Sequence, residues 1–189
     1  KLSCTKPQIN GEGVIAIEEG RHPLIDRKKV VPVTLSLGKD YRFLLISGPN
    51  TGGKTVTLKM VGLFALMAMC GLFIPAKRAV LSTFDEIYCD VGDAQSIEES
   101  LSTFSSHVTN IIDIVNRADK HSLVLIDELG GGTDPDEGQA LAKAIVSYLL
   151  QTGCAGVVTT HYTALKEFAF SAEGIQNACM EFDANTLQP

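Results

Sequence analysis

The chain has 189 residues, 45% hydrophobic and 20% charged, which excludes an intrinsically disordered segment and lets it bury roughly two thirds of its unfolded surface without a disulfide or metal staple. Sixteen Lys and Arg against twenty-two Asp and Glu leave a net charge of −6, opposite in sign to a surface that grips phosphate backbones, so nucleic acid is expected to be held elsewhere. The five cysteines at 4, 70, 89, 154 and 179 form no C-x-x-C pair, which argues against a zinc framework and suits a reducing, cytoplasmic setting.

A chain that starts at Lys1 and not at Met is expected to be a fragment of a longer protein, a single domain with a short strand region at 1–40 ahead of a core at 41–189. Residues 13–18 and 30–37 read as early strands, and Pro32 puts the second at an edge or a bulge. RFLLIS at 42–47 is an apolar run ending at a glycine-rich turn, and a helical pattern follows over 54–70. The uncharged run at 60–76 falls short of the ~18–20 apolar residues that a bilayer span needs and contains Gly62, Gly71 and Pro75, so a core helix is expected and no membrane partner. An extended piece at 84–89 comes next, then a helix over 103–118 with Val108, Ile111, Ile112 and Val115 at helical spacing, then a strand at 123–126. Asp134, Pro135 and Glu137 supply an N-cap, a first-turn proline and a capping acid for a helix running to Leu150, which Gly153 closes. Residues 155–160 read as a buried strand and 177–183 as the last one. This alternation predicts an α/β fold, a mostly parallel sheet flanked by helices.

GPNTGGKT at 48–55 matches G-x-x-x-x-G-K-[ST] between a predicted strand and a predicted helix. Its glycines let backbone N–H groups turn inward toward phosphate, and the helix N-terminus adds its positive end. The nucleotide-binding set is therefore Gly48, Pro49, Asn50, Thr51, Gly52, Gly53, Lys54, Thr55 and the following Val56. Lys54 is expected as a surface cation packing against the β and γ phosphates, with Thr55 on Mg²⁺. SLVLIDE at 122–128 ends an apolar strand in two acids, with Asp127 as a second Mg²⁺ ligand and Glu128 as the catalytic base. His161 follows another buried strand at the same edge, where an imidazole can sense the γ phosphate. The hydroxyl-rich stretch at 93–107 opens a helix: Ser102 is either its cap or an anion contact, and Gln95 is placed to bridge Mg²⁺ or the attacking water.

In chain order, GRHPL at 20–24, GPNTGGKTVTLKMVGL at 48–63, SLSTFSSH at 100–107, LIDELGGGTDPDEG at 125–138 and TTHYTALK at 159–166 make the chain resemble the ATPase domain of the MutS family, a P-loop NTPase of ABC type. Thr55, where mismatch-recognising members typically have Ser, the QSIEESLSTFSSH stretch and the TDPDEG tail are most similar to the type-two, Smr-containing endonuclease branch. Members of that branch are implied to carry a helical core, a clamp and a nuclease domain outside these residues. The resemblance implies ATP with Mg²⁺, a homodimer with composite ATP sites, and hydrolysis that moves a clamp on nucleic acid. It also implies that DNA in recombination control or a stalled ribosome is contacted mainly through other domains. It places Val30 and Val31 in the stretch that contacts adenine, without the family's usual aromatic. Asn50 and Ser102 fall at positions that meet across the dimer, Ser102 addressing the partner's γ phosphate. His107 stands where mismatch-repair members have an acid. Two other classes compete: a P-loop phosphotransferase acting on a small molecule, and a nucleotide-gated interaction module with little turnover.

Overall fold

The computed structural model describes residues 3–92 and 100–180. In chain order the elements are β1 (Gln8–Asn10), β2 (Ile15–Gly20), β3 (Val33–Leu37), β4 (Phe43–Ser47), α1 (Lys54–Met69), β5 (Arg78–Ser82) and β6 (Glu86–Asp90). They continue with α2 (Ser100–Arg117), β7 (Ser122–Ile126), α3 (Pro135–Thr152), β8 (Ala155–Thr159), α4 (Thr163–Ser171) and β9 (Ile175–Cys179). No helix among the described residues is long and apolar enough to cross a membrane.

Five strands form an all-parallel sheet in the order β6-β7-β8-β4-β9. A strand side chain points to alternate faces, and both faces of this sheet are covered, so β4, β7 and β8 are buried at every position. Leu44, Ile46, Leu123, Leu125, Ala155 and Val157 join α1 in one apolar cluster. Their alternates Phe43, Leu45, Val124, Ile126 and Val158 pack with α2, α3 and α4 in the other. The parallel, helix-flanked α/β architecture read from the sequence is therefore present.

A second sheet of four strands, unexpected from the sequence pattern, is ordered β1-β5-β2-β3, and in it only β1 and β5 run parallel. Ile15, Ile17, Leu37, Ala79 and Leu81 bring it onto the face of α1 away from the parallel sheet. Helix α1 is thus enclosed between two sheets, which is why Leu58, Met60, Val61, Phe64 and Ala65 are all buried and why its apolar residues follow no single stripe.

Several boundaries shift. β3 begins after Pro32 as an edge strand, and the bulge lies between Ile17 and Gly20 of its partner β2. Val30 sits in a turn, its amide donating to the Asp26 carbonyl at 2.9 Å. β9 starts two residues ahead of the expected Asn177, and residues 181–183 of that expectation lie outside the described residues. The α3 cap stands as read, with the Asp134 carboxylate accepting from the amides of Asp136 at 3.0 Å and Glu137 at 3.4 Å. The helix continues to Thr152 before Gly153 turns left-handed at φ +77°.

Candidate nucleotide site

The carboxyl ends of β4, β7 and β8 converge at one edge of the parallel sheet, where an open α/β sheet places its ligand. After β4, Gly48 turns at φ +128°, residues Asn50–Gly52 make one tight turn, and Gly53 at φ +82° delivers the chain into α1. Only glycine reaches those two dihedral regions without strain. The first turn of α1 holds no acidic residue and no side-chain cap. α3 differs, having Asp134, Asp136 and Glu137 at its start. The positive end of α1 is left for an exogenous anion, whereas that of α3 is met by its own carboxylates.

Lys54 departs from the expected surface cation. It is 2% exposed, and its Nζ donates to the Gly48 carbonyl at 2.7 Å. Burial pulls its pKa below the ordinary lysine value, and the nearby Glu128 and Asp127 carboxylates oppose that pull. Thr55 Oγ1 donates to Asp127 Oδ2 at 2.7 Å, joining the phosphate loop to the acid strand across the intervening β8.

Asp127 leaves β7 with its amide donating to the Asp90 carbonyl at 2.9 Å. Glu128 follows at φ +48°, a left-handed conformation that costs a non-glycine residue about 1–2 kcal/mol. It is held there by Thr159, a residue the sequence reading did not single out. Thr159 Oγ1 accepts the Glu128 amide at 2.8 Å and donates to Asp127 Oδ1, while its carbonyl accepts the Leu129 amide at 3.1 Å. A threonine inside an apolar strand run is the one sequence signal that pointed here.

His161 emerges exposed from the end of β8, its ring centroid 4.2 Å from that of Tyr162. The Tyr162 hydroxyl donates to the Gly130 carbonyl at 2.9 Å, fastening the His161 segment to the glycine triplet beyond the acids. On the far side, a cavity of about 90 Å³ is lined by Asp127, Glu128, Asp90, Gly92 and His107 among others. The buried Asp90 carboxylate accepts from Asn110 Nδ2 at 2.8 Å and pairs with His107 Nδ1 at 2.9 Å, binding α2 to the ends of β6 and β7.

The structure therefore brings together the loop from Gly48 to Thr55, Asp127, Glu128 and His161 at one sheet edge. Val56 is on α1 and 37% exposed. Val30 lines a cleft of about 50 Å³ with Arg21, His22, Ile25, Arg27 and Pro75. Val31 beside it is 42% exposed. Ser102 lies in the first turn of α2; Gln95 and the side chains of Asn50 and Ser102 lie outside the described residues.

Residues 44–188 match the family described as MutS domain V. Over 190 residues and all of this chain, 57% identity relates it to the protein named endonuclease MutS2 of Clostridium botulinum (strain Langeland / NCTC 10281 / Type F). The protein of the same name from Caldanaerobacter subterraneus subsp. tengcongensis is 53% identical over the same length, and that from Clostridium tetani 55% identical over 188 residues. The chain spans 24% of the length of each of these relatives.

Proposed function

This chain belongs to the MutS family as its domain V, the P-loop ATPase domain, and from that membership we propose that it is a Mg²⁺-dependent ATP hydrolase whose ATP-bound form pairs two copies. The observation that carries the reading is the hydrogen bond between Thr55 and Asp127, which joins the phosphate loop to the acid strand one residue before Glu128.

The donors fit the ion. A threonine hydroxyl and a carboxylate are hard oxygen ligands, and Mg²⁺ is usually held by one or two carboxylates together with substrate phosphates. Among the described residues no group of three or more His, Cys, Asp and Glu forms a metal cage, in keeping with a cation that arrives with its nucleotide. When bound, Mg²⁺ would offset charge on the β and γ phosphates, with Thr55 and Asp127 holding it.

The chain's own residues supply the rest. Backbone N–H groups from Gly48 to Thr55 bind and orient the triphosphate, and Lys54 adds a cation at the loop. Glu128 orients the attacking water and takes its proton on the carboxylate, while His161 contacts the γ phosphate. Ser102 at the start of α2, with Asn50, completes the site of a second copy, and Gln95 reaches Mg²⁺ or the water. Val30 and Val31 belong to the stretch that meets adenine. Hydrolysis then opens a clamp formed by other parts of the protein, which hold the nucleic acid, DNA under recombination control or RNA on a stalled ribosome. The net charge of −6 here supports that division of labour. The protein works in the cytoplasm.

In single-turnover quench-flow, Glu128→Gln is expected to bind labelled Mg·ATP and to cleave it at least about 100-fold more slowly than the unaltered chain. An unaltered chain that releases no phosphate in the presence of Mg²⁺ overturns the reading.

A further inference from the structure

Asp127 and Glu128 are adjacent in sequence but have different work, and something must fix both at once. The end of β7 cannot do so alone: a strand ends there, and Glu128 adopts a backbone conformation that its own side chain disfavours. The neighbouring strand supplies the constraint. β8 lies between β7 and β4, with Val158 opposite Ile126 and Thr159 opposite Ile46, so Thr159 is placed where both acids leave the sheet. It is fully buried.

A threonine hydroxyl has one proton to give and lone pairs to receive with. In Thr159 the proton goes to Asp127 Oδ1 and a lone pair takes the Glu128 amide. The donation leaves Asp127 Oδ2 turned to Thr55. One hydroxyl thereby sets the rotation of the carboxylate facing the phosphate loop and holds the left-handed turn that aims Glu128. We propose that Thr159 is a positioning residue for both acids, acting through its hydroxyl and not through its bulk. The proposal rests on the ATPase reading above.

The test uses substitutions that separate the two properties, made in the full chain. Thr159→Val keeps the branched shape and loses the hydroxyl; Thr159→Ser keeps the hydroxyl and loses the methyl group. If the hydroxyl acts, Thr159→Val cleaves ATP at least tenfold more slowly in a single turnover and needs several-fold more Mg²⁺ for half-maximal binding of labelled ATP. Its ATP affinity without Mg²⁺ stays within about twofold of the unaltered chain, and Thr159→Ser stays within about threefold on every measure. A role in packing alone inverts the order, with serine the worse variant and the Mg²⁺ requirement unmoved.

Wild-type rate and Mg²⁺ requirement in Thr159→Val, or a serine variant as slow as valine, overturns the assignment. Circular dichroism accompanies each measurement. Should valine prevent folding, Thr159→Cys, whose thiol is a weaker partner, is expected to fold and to be at least tenfold slow, and a wild-type rate in it overturns the assignment equally. Glu128→Gln run in parallel separates the two readings. A slow Glu128→Gln beside a fast Thr159→Val removes only the role of Thr159, whereas turnover indifferent to both removes the ATPase site.

Discussion

Lys54 donates its ammonium proton to the carbonyl of Gly48, six residues earlier, from a position 2% exposed to solvent. The cation of the phosphate loop is therefore tied back to the loop's first residue. Replacing Lys54 by Met keeps the volume and removes a charge that burial disfavours, so thermal stability is expected to hold within about 1 kcal/mol or to rise. Affinity for labelled ATP is expected to fall roughly 10- to 100-fold, the value of one charge-assisted contact. Unchanged affinity in a folded Lys54→Met chain would remove Lys54 from the phosphate site.

Composite sites make a prediction that only mixing can test. Ser102→Arg would block closure of two copies, and Lys54→Ala would empty the loop, so each alone is expected to be inactive. Mixed in equal amounts, half the dimers are heterodimers, each with one intact loop facing one intact helix entrance, and roughly a quarter of all sites recover if sites act independently. Steady-state ATPase across a concentration series reads this out. Full activity of Ser102→Arg alone would leave Ser102 as a helix cap.

The cysteines divide by environment. Cys154 is buried behind α3 and its thiol is pushed up to about 11, mainly by burial, whereas Cys4 and Cys70 are exposed. A folded-state value above the unfolded one contributes stability that is whole below about pH 9 and is lost as pH climbs toward about 11. Thiol labelling near pH 8 is expected to modify Cys4 and Cys70 well before Cys154, and Cys154→Ala should flatten part of the decline in melting temperature above pH 9. Equal labelling rates in the native protein would contradict the burial.

The parallel sheet was legible because each of its central strands is a mostly apolar run, buried at every position, and each is followed by a motif: GPNTGGKT after β4, DE after β7, TH after β8. The second sheet was not. β5, RAVLS, opens with an exposed arginine, and β1 spans three residues, so neither shows a pattern of its own; pairing across the fold makes them strands. α4 is nine residues long and follows the histidine motif, which drew attention to chemistry and away from its periodicity. Lys54 and Thr159 show the same limit at the site. A motif names the residues that touch phosphate, but burial of a lysine and the sharing of one hydroxyl between two acids arise only when strands distant in sequence become neighbours.

The position of β5 also orders events during synthesis. β1 and β2 are made before β5, yet β5 lies between them, with Gln8 opposite Val80 and Ala16 opposite the same residue. Residues 8–20 must wait, unpaired along that edge, until the whole of α1 has been made and the chain has doubled back. Closing the sheet then captures the helix that carries the phosphate loop. A truncation beginning at residue 41 would leave β5 bare on both edges and uncover α1 where Ile15, Ile17 and Leu37 now lie, so such a chain should aggregate as it emerges and never reach nucleotide.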